Sequence, residues 1–482
     1  MFRKGDVIRV ARANPINIAT VPGLIGKVGV IIHPNLEDSL DGEISVVEID
    51  GRWHWFYSSE IEIDETQSLQ EAIDAASAGD VIKVKKGVYT GSVTISKPLS
   101  IIGEEGAVID GEGTESVVQI TTSDVNVEGL TIQYSGTGTI QSGIYVKEGQ
   151  KNSIKNNVIQ DTLHGIYLEK GSNHNISNNE ITSYGEHFSD RGNGIYLSGG
   201  TGHYLKDNRM TAVQDGIYGE SATNITMSGN EVYQSRYGIH LMFAENVTLE
   251  GNHLENNITG MMFMDSKALA TVHNVVLNHF HVRGFGIIIY DSSDILLREN
   301  EIRLNSTGLS LEKTIAVKIE RNIISGNQVG LEFIGENADN IFTENNFIGN
   351  VVQSKITNNQ MQLDNGIKGN YWDDYNSFDV TGDGIGDLTY KAGSLYDQLL
   401  EKEPYWQFFF ESPTIKLWSK AETLFPSIGV ADVYDENPLV EPVALSKETS
   451  TEQGTRNIGS LIIGLSFLWF SILLIVTGRR FT

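Results

Sequence analysis

Two periods are superposed along most of this chain. Over short stretches apolar and polar residues alternate, as they do on a strand with one buried face. Over longer stretches the same alternation returns in register. Gly-Ile-Tyr or a close variant begins at Gly143, Gly165, Gly194, Gly216, Gly238, Gly260, Gly286, Gly308 and Gly330, at intervals of 22, 29, 22, 22, 22, 26, 22 and 22. An asparagine column keeps step at Asn157, Asn179, Asn208, Asn230, Asn252, Asn274, Asn300 and Asn322. The long intervals coincide, so each marks one insertion within one repeat, around Tyr184 to Arg191 and around Asn278 to Arg283. A fixed period means a stacked solenoid. The apolar runs are too short for helical or leucine-rich units, so the pattern predicts an all-β fold, a right-handed parallel β-helix with one 22-residue coil per rung. The asparagines then form an internal ladder at a turn, each amide bonding its neighbours above and below.

The flanks read differently. Ser68 to Ser77 predicts an amphipathic helix capping the first rung, with Ser68 and Glu71 as a capping box. Residues 1–63 predict a small separate β-barrel: Lys4 to Val10, Gly26 to Ile32, Ile44 to Ile49 and Trp53 to Phe56 read as strands, and Asp50-Gly51 as a hairpin turn. It resembles KOW-type barrels in fold only. The solenoid is expected over 64–365, a C-terminal wrapping segment over 366–445 and a linker over 446–457. Ile458 to Val476 is uncharged and close to the ~20 residues of a membrane-spanning helix, so a transmembrane anchor is expected there. Arg479 and Arg480 favour a cytoplasmic C-terminus. The charged start Met1 to Asp6 has no apolar export core behind it, so an extracytoplasmic bulk domain implies an unusual export signal or an unusual start, the alternative being a cytoplasmic bulk.

The repeat also assigns side-chain direction. Positions one and three after each repeat glycine are apolar (Ile239 and Leu241, Met261 and Phe263) and face inward, apart from Gly219. Positions two and four face outward. They place His240 and Met242 on one rung beside Met262 and Met264 on the next. Rungs lie ~4.8 Å apart and alternate strand residues ~6.7 Å apart, so these four side chains can converge on one ion. Three thioethers and an imidazole form a soft donor set that selects Cu(I) over zinc, magnesium or calcium. The plainer reading is an apolar patch covered by the tail or a partner.

Composition narrows the options. With 35 Lys and Arg against 62 Asp and Glu the net charge is −27, which excludes nucleic acid as a natural partner. The absence of cysteine removes disulfides, thiolate nucleophiles and iron–sulfur ligation. Fifty glycines against nine prolines suit a turn-rich β protein.

Other candidates carry less. His279 and His281 flank Phe280 at the second insertion, with His273 nearby, and make half a metal site. His174 and His203 fall in a core column later filled by Ile225 and Val247. Asp379, Thr381, Asp383 and Asp387, with Gly384 at position six, resemble a calcium loop but lack its last acid, since position twelve is Tyr390. A polysaccharide-cleaving site would need paired carboxylates, and the outward Glu169, Glu220 and Glu312 are scattered. The column Tyr145, Tyr167, Tyr196 and Tyr218 offers rings for stacking sugars, or simply a packed ladder.

The repeat, Gly369-Asn370-Tyr371-Trp372-Asp373-Asp374-Tyr375, Gly382-Asp383-Gly384-Ile385-Gly386-Asp387, and the tail from Ser412-Pro413 to Glu441-Pro442 together resemble the NosD family over about 64–445. The tail discriminates, because many sugar-binding and sugar-cleaving β-helices share the repeat. The resemblance implies a non-catalytic periplasmic accessory that works beside an ABC transporter in copper maturation of nitrous oxide reductase. It favours copper as the ion of the outward Met/His patch. The barrel and the membrane span are additions to that pattern.

Overall fold

The computed structural model describes residues 7–10, 24, 27–38, 42–57, 61–63, 68–357, 361–392, 405, 409, 412–415, 417 and 433–444. Two compact units divide the chain, 1–443 and 444–482. The expected span at 458–476 lies outside the described residues. Among the described residues no helix is long and apolar enough to cross a membrane.

The 22-residue repeat folds as a parallel β-helix. Three long parallel sheets of 13, 12 and 12 strands run along it, and each coil gives one strand to each. The Gly-Ile strands form what we term the front sheet, from Val93–Ile95 through Tyr237–Met242 and Thr259–Met264 to Val352–Thr357. The inward columns are fully buried, as at Ile239, Leu241, Met261 and Phe263, in one continuous core. The glycine opening each coil is required by close rung contact. At Gly238 an added Cβ would stand 2.6 Å from the Gly260 carbonyl of the next coil.

The asparagine column is a buried ladder. Asn208 accepts from the backbone and side-chain N–H groups of Asn179 and donates to Asn230 at 3.0 Å and to the Ile176 carbonyl at 2.9 Å. It runs past Asn322 to Asn345 and Asn370, beyond the column that even spacing reveals. Both insertions fall at one turn, the one leading into the front-sheet strand, and leave the rung register intact.

The ends are closed as expected at the start and by more than expected at the finish. Helix Leu69–Ala75 lies over the first rungs with Leu69 and Ile73 buried, and Ser68 Oγ accepts from the Glu71 N–H. At the far end Val433–Asp435 pairs with Met361–Gln362 and Tyr390–Ala392. Asp435 there accepts from the Asn370 and Asn437 N–H groups and the Trp372 indole. Near the N-terminus five antiparallel strands form one sheet, ordered Arg52–Tyr57, Gly42–Ile49, Val28–Asp38, Val7–Val10, Ile61–Ile63. Its hairpin turns at Asp50-Gly51 with both φ positive, as the Asp-Gly pair requires, and Trp53 and Trp55 are exposed on the edge strand.

Candidate functional site

The front-sheet strands Asp215–Glu220, Tyr237–Met242 and Thr259–Met264 lie side by side in parallel. Register sets His240 beside Met262 and Met242 beside Met264. The four predicted residues therefore share one outer corner. The three methionine side chains are half-buried at the surface, whereas His240 is only 7% exposed.

His240 sinks inward because its neighbours enclose it. The Tyr218 and Tyr237 rings each stand 4.9 Å from its own, and Asp215 lies beneath. The imidazole Nδ1 is 3.0 Å from Asp215 Oδ2. Arg236 grips the same carboxylate with two bonds, Nε to Oδ1 at 2.8 Å and Nη2 to Oδ2 at 2.7 Å, and lies over the Tyr237 ring. Burial pushes the Asp215 carboxyl up, but the His240 and Arg236 hydrogen bonds outweigh it and hold it below the usual carboxylate range. The Tyr218 hydroxyl donates to Met242 Sδ at 3.3 Å, and burial pushes that phenol up to about 12.

An ionised carboxylate can only accept, so Nδ1 of His240 carries a proton, and in the neutral ring Nε2 is the lone pair. That Nε2 is buried and has no partner. The other buried rung histidines differ at Nδ1, although the Nε2 of His174, His203 and His279 is likewise buried without a partner. Backbone N–H groups donate to Nδ1 of His164, His174 and His203, from Asn193, Asn152 and His174 respectively, so in the neutral rings the proton sits on Nε2. His279 Nδ1 faces both the N–H and the carbonyl of Asn257. Among these five, only His240 has a carboxylate against Nδ1. A carboxylate behind a histidine is the usual support of a metal-bound imidazole.

Asp215, Arg236 and Tyr218 complete the site and are not in the sequence-derived set. Asp215 directly precedes a repeat glycine, a column otherwise holding Ser142, His164, Asn193, Tyr237, Thr259, Phe285, Thr307 and Val329. Arg236 stands two before the next glycine, in a column with no other charged residue. One acid and one base, each alone in its column and a coil apart, were the available signal.

The remaining candidates are not gathered. His279 is fully buried in a second asparagine ladder between Asn257 and Asn305, not on a strand, while His281 is exposed in the inserted loop and His273 binds Glu299. His174 and His203 stack at 5.0 Å as core polar groups, as their column implied. In the 379–387 loop Asp379 accepts from the Gly382 and Gly384 N–H groups, Asp387 from Val380, and Asp383 from Ile385. These carboxylates close the loop's own turns. Among the described residues no three His, Asp or Glu side chains come together as a metal cluster. The tyrosine column packs on itself: Tyr145 and Tyr167 are buried, and Tyr145 and Tyr196 hydroxyls bond Glu169 and Glu220. Sugar faces cannot reach the two buried rings.

Comparison with known proteins identifies relatives of the chain as a whole. Residues 177–377 match the family described as "Periplasmic copper-binding protein (NosD)". A Stutzerimonas stutzeri protein named "Probable ABC transporter binding protein NosD" is 30% identical over 381 residues, covering 74% of this chain and 86% of its own. Its like-named Pseudomonas aeruginosa counterpart is 30% identical over 373 residues, covering 73% and 86%. The A-module of the Azotobacter vinelandii mannuronan C-5 epimerase AlgE6 superposes with TM-score 0.52 at 15% identity, covering 60% of this chain and 93% of the module. That likeness is one of fold alone.

Proposed function

Since this chain belongs to the NosD family of periplasmic copper-binding proteins, we propose that it is an extracytoplasmic binding accessory of an ABC transporter, serving the copper maturation of nitrous oxide reductase. It acts by holding and presenting Cu(I), not by catalysing a reaction. The ion is its cargo, and His240, Met242, Met262 and Met264 are its ligands. The 458–476 segment tethers the protein beside its membrane partner.

One observation carries this reading. His240 has a carboxylate against Nδ1, an unpartnered Nε2, and a place in register with a thioether corner. A buried polar nitrogen without a partner costs desolvation energy, which a bound soft cation would offset. Thioether and imidazole donors suit Cu(I). The bound ion would supply no chemistry beyond its own transfer. The chain orients the imidazole and keeps hard ligands away.

The test is a Cu(I) titration of the detergent-purified full chain against a competing chelator. The triple variant M242L/M262L/M264L keeps side-chain volume and removes three donors. Wild type should compete with the chelator, and the variant should lose at least tenfold in affinity. Equal binding by both would end the assignment.

A further inference from the structure

We infer that Arg236 and Asp215 set the metal selectivity of this corner. Arg236 withholds the one buried carboxylate from the ion, while that carboxylate fixes the histidine lone pair. The inference rests on the Cu(I) reading above and names the selectivity device of the same site.

Two acids lie near enough to change the chemistry. Asp215 touches His240, and Glu220 is the register neighbour of Met242 one coil earlier. Either, if free, would add a hard anionic oxygen to a soft donor set and draw Zn(II) or Cu(II). Both are engaged. Arg236 donates to both Asp215 oxygens, and Oδ2 also takes the His240 N–H. The Tyr196 hydroxyl holds Glu220 at 3.0 Å. Planar guanidinium makes a two-point clamp that a lysine could not reproduce. The clamp is itself braced by the Tyr237 ring beneath Arg236 at 4.6 Å. The Asp215 and Arg236 charges cancel, so the clamp itself adds no net charge beside the ion.

Asp215 and Arg236 are thus positioning residues with separable effects. Asp215 dictates which imidazole nitrogen is free. Arg236 dictates whether the Asp215 oxygens are free.

Three measurements on the detergent-purified full chain separate these roles. The first is 15N solid-state NMR of histidine-labelled, metal-free wild type, with H240Q assigning the resonance. The expected result is a protonated Nδ1 and a bare Nε2 at His240. A protonated Nε2 overturns the inference without any variant having to fold. The second is metal retention after gel filtration, with Cu(I), Ag(I) and Zn(II) offered separately. R236Q should raise the Zn(II) affinity at least tenfold over wild type. Unchanged Zn(II) affinity in R236Q of wild-type fold overturns the clamp. The third is D215N, which should lose 10–100-fold in Cu(I) affinity, in the range of supporting-residue losses at metal-bound histidines. Wild-type Cu(I) affinity in D215N overturns its role. Should wild type show the expected tautomer yet bind no Cu(I), the proposed function fails, and selectivity for an ion it does not carry fails with it.

Discussion

At the scale of single residues, hydrogen-bond direction divides the histidines into two kinds. His174, His203 and His279 replace asparagine in internal ladders, their Nδ1 accepting a backbone N–H where an amide oxygen stands on other rungs. Burial pushes these imidazoles down to about 4, 3 and 4. In the unfolded chain they titrate near ~6.5. The folded state therefore binds fewer protons below that pH. The stability these residues give is complete above about 6.5 and is lost as pH falls from there towards 4. The H174N/H203N variant puts back an acceptor that does not titrate. Its urea-unfolding free energy should fall less steeply than wild type between ~pH 6.5 and 4.5, and an unchanged slope would contradict the argument. Residue type alone did not show which histidine differs. That depended on Asp215, which stands 25 residues before His240 and meets it only when coils stack.

At the scale of elements, the asparagine ladder couples one coil to the next. Replacing Asn208 by alanine leaves the Asn179 N–H groups and the Ile176 carbonyl short of partners within a fully buried turn. The expected loss is about 2–4 kcal/mol by denaturant titration, while alanine at the exposed strand residue Asn175 should cost well under 1 kcal/mol. The coil itself was legible because interior columns repeat: glycine where backbones approach, apolar residues inside, asparagine at the turn. Strand alternation and rung register were enough to set the three thioethers on adjacent surface positions, and not enough to reveal what lies beneath them. Asp215 and Arg236 break the pattern of their columns once each, and a single break has no period. Outward positions also proved less open than alternation implies, because stacked rings cover one another, as at Tyr145 and Tyr167.

For the whole molecule, the closing strap gives physical meaning to a motif that spacing left unexplained. Gly369 must be glycine because a Cβ there would stand 1.8 Å from Asp435 Oδ1. Asn370 ends the ladder, and the Trp372 indole binds Asp435 from the strap. These partners are 63 to 65 residues apart and follow no repeat, so sequence pattern could not pair them. G369A should expose 433–443 to protease and speed its amide exchange at least tenfold, while amides of the central coils keep their protection. Burial raises the Asp435 carboxyl to about 6 despite its donors. The strap is thus most secure below the ordinary carboxylate pKa and loosens as pH rises through about 6, opposite to the histidine rungs. Amide exchange at pH 5 and pH 8, corrected for intrinsic rates, should show the two regions moving in contrary senses. The equal period has a last consequence. Both insertions sit at one turn and leave the stacking undisturbed, so reach can change only in whole steps of ~4.8 Å per coil. Excising residues 308–329, one full repeat beyond the histidine corner, would shorten this spacer by a single increment and leave the ion's seat untouched.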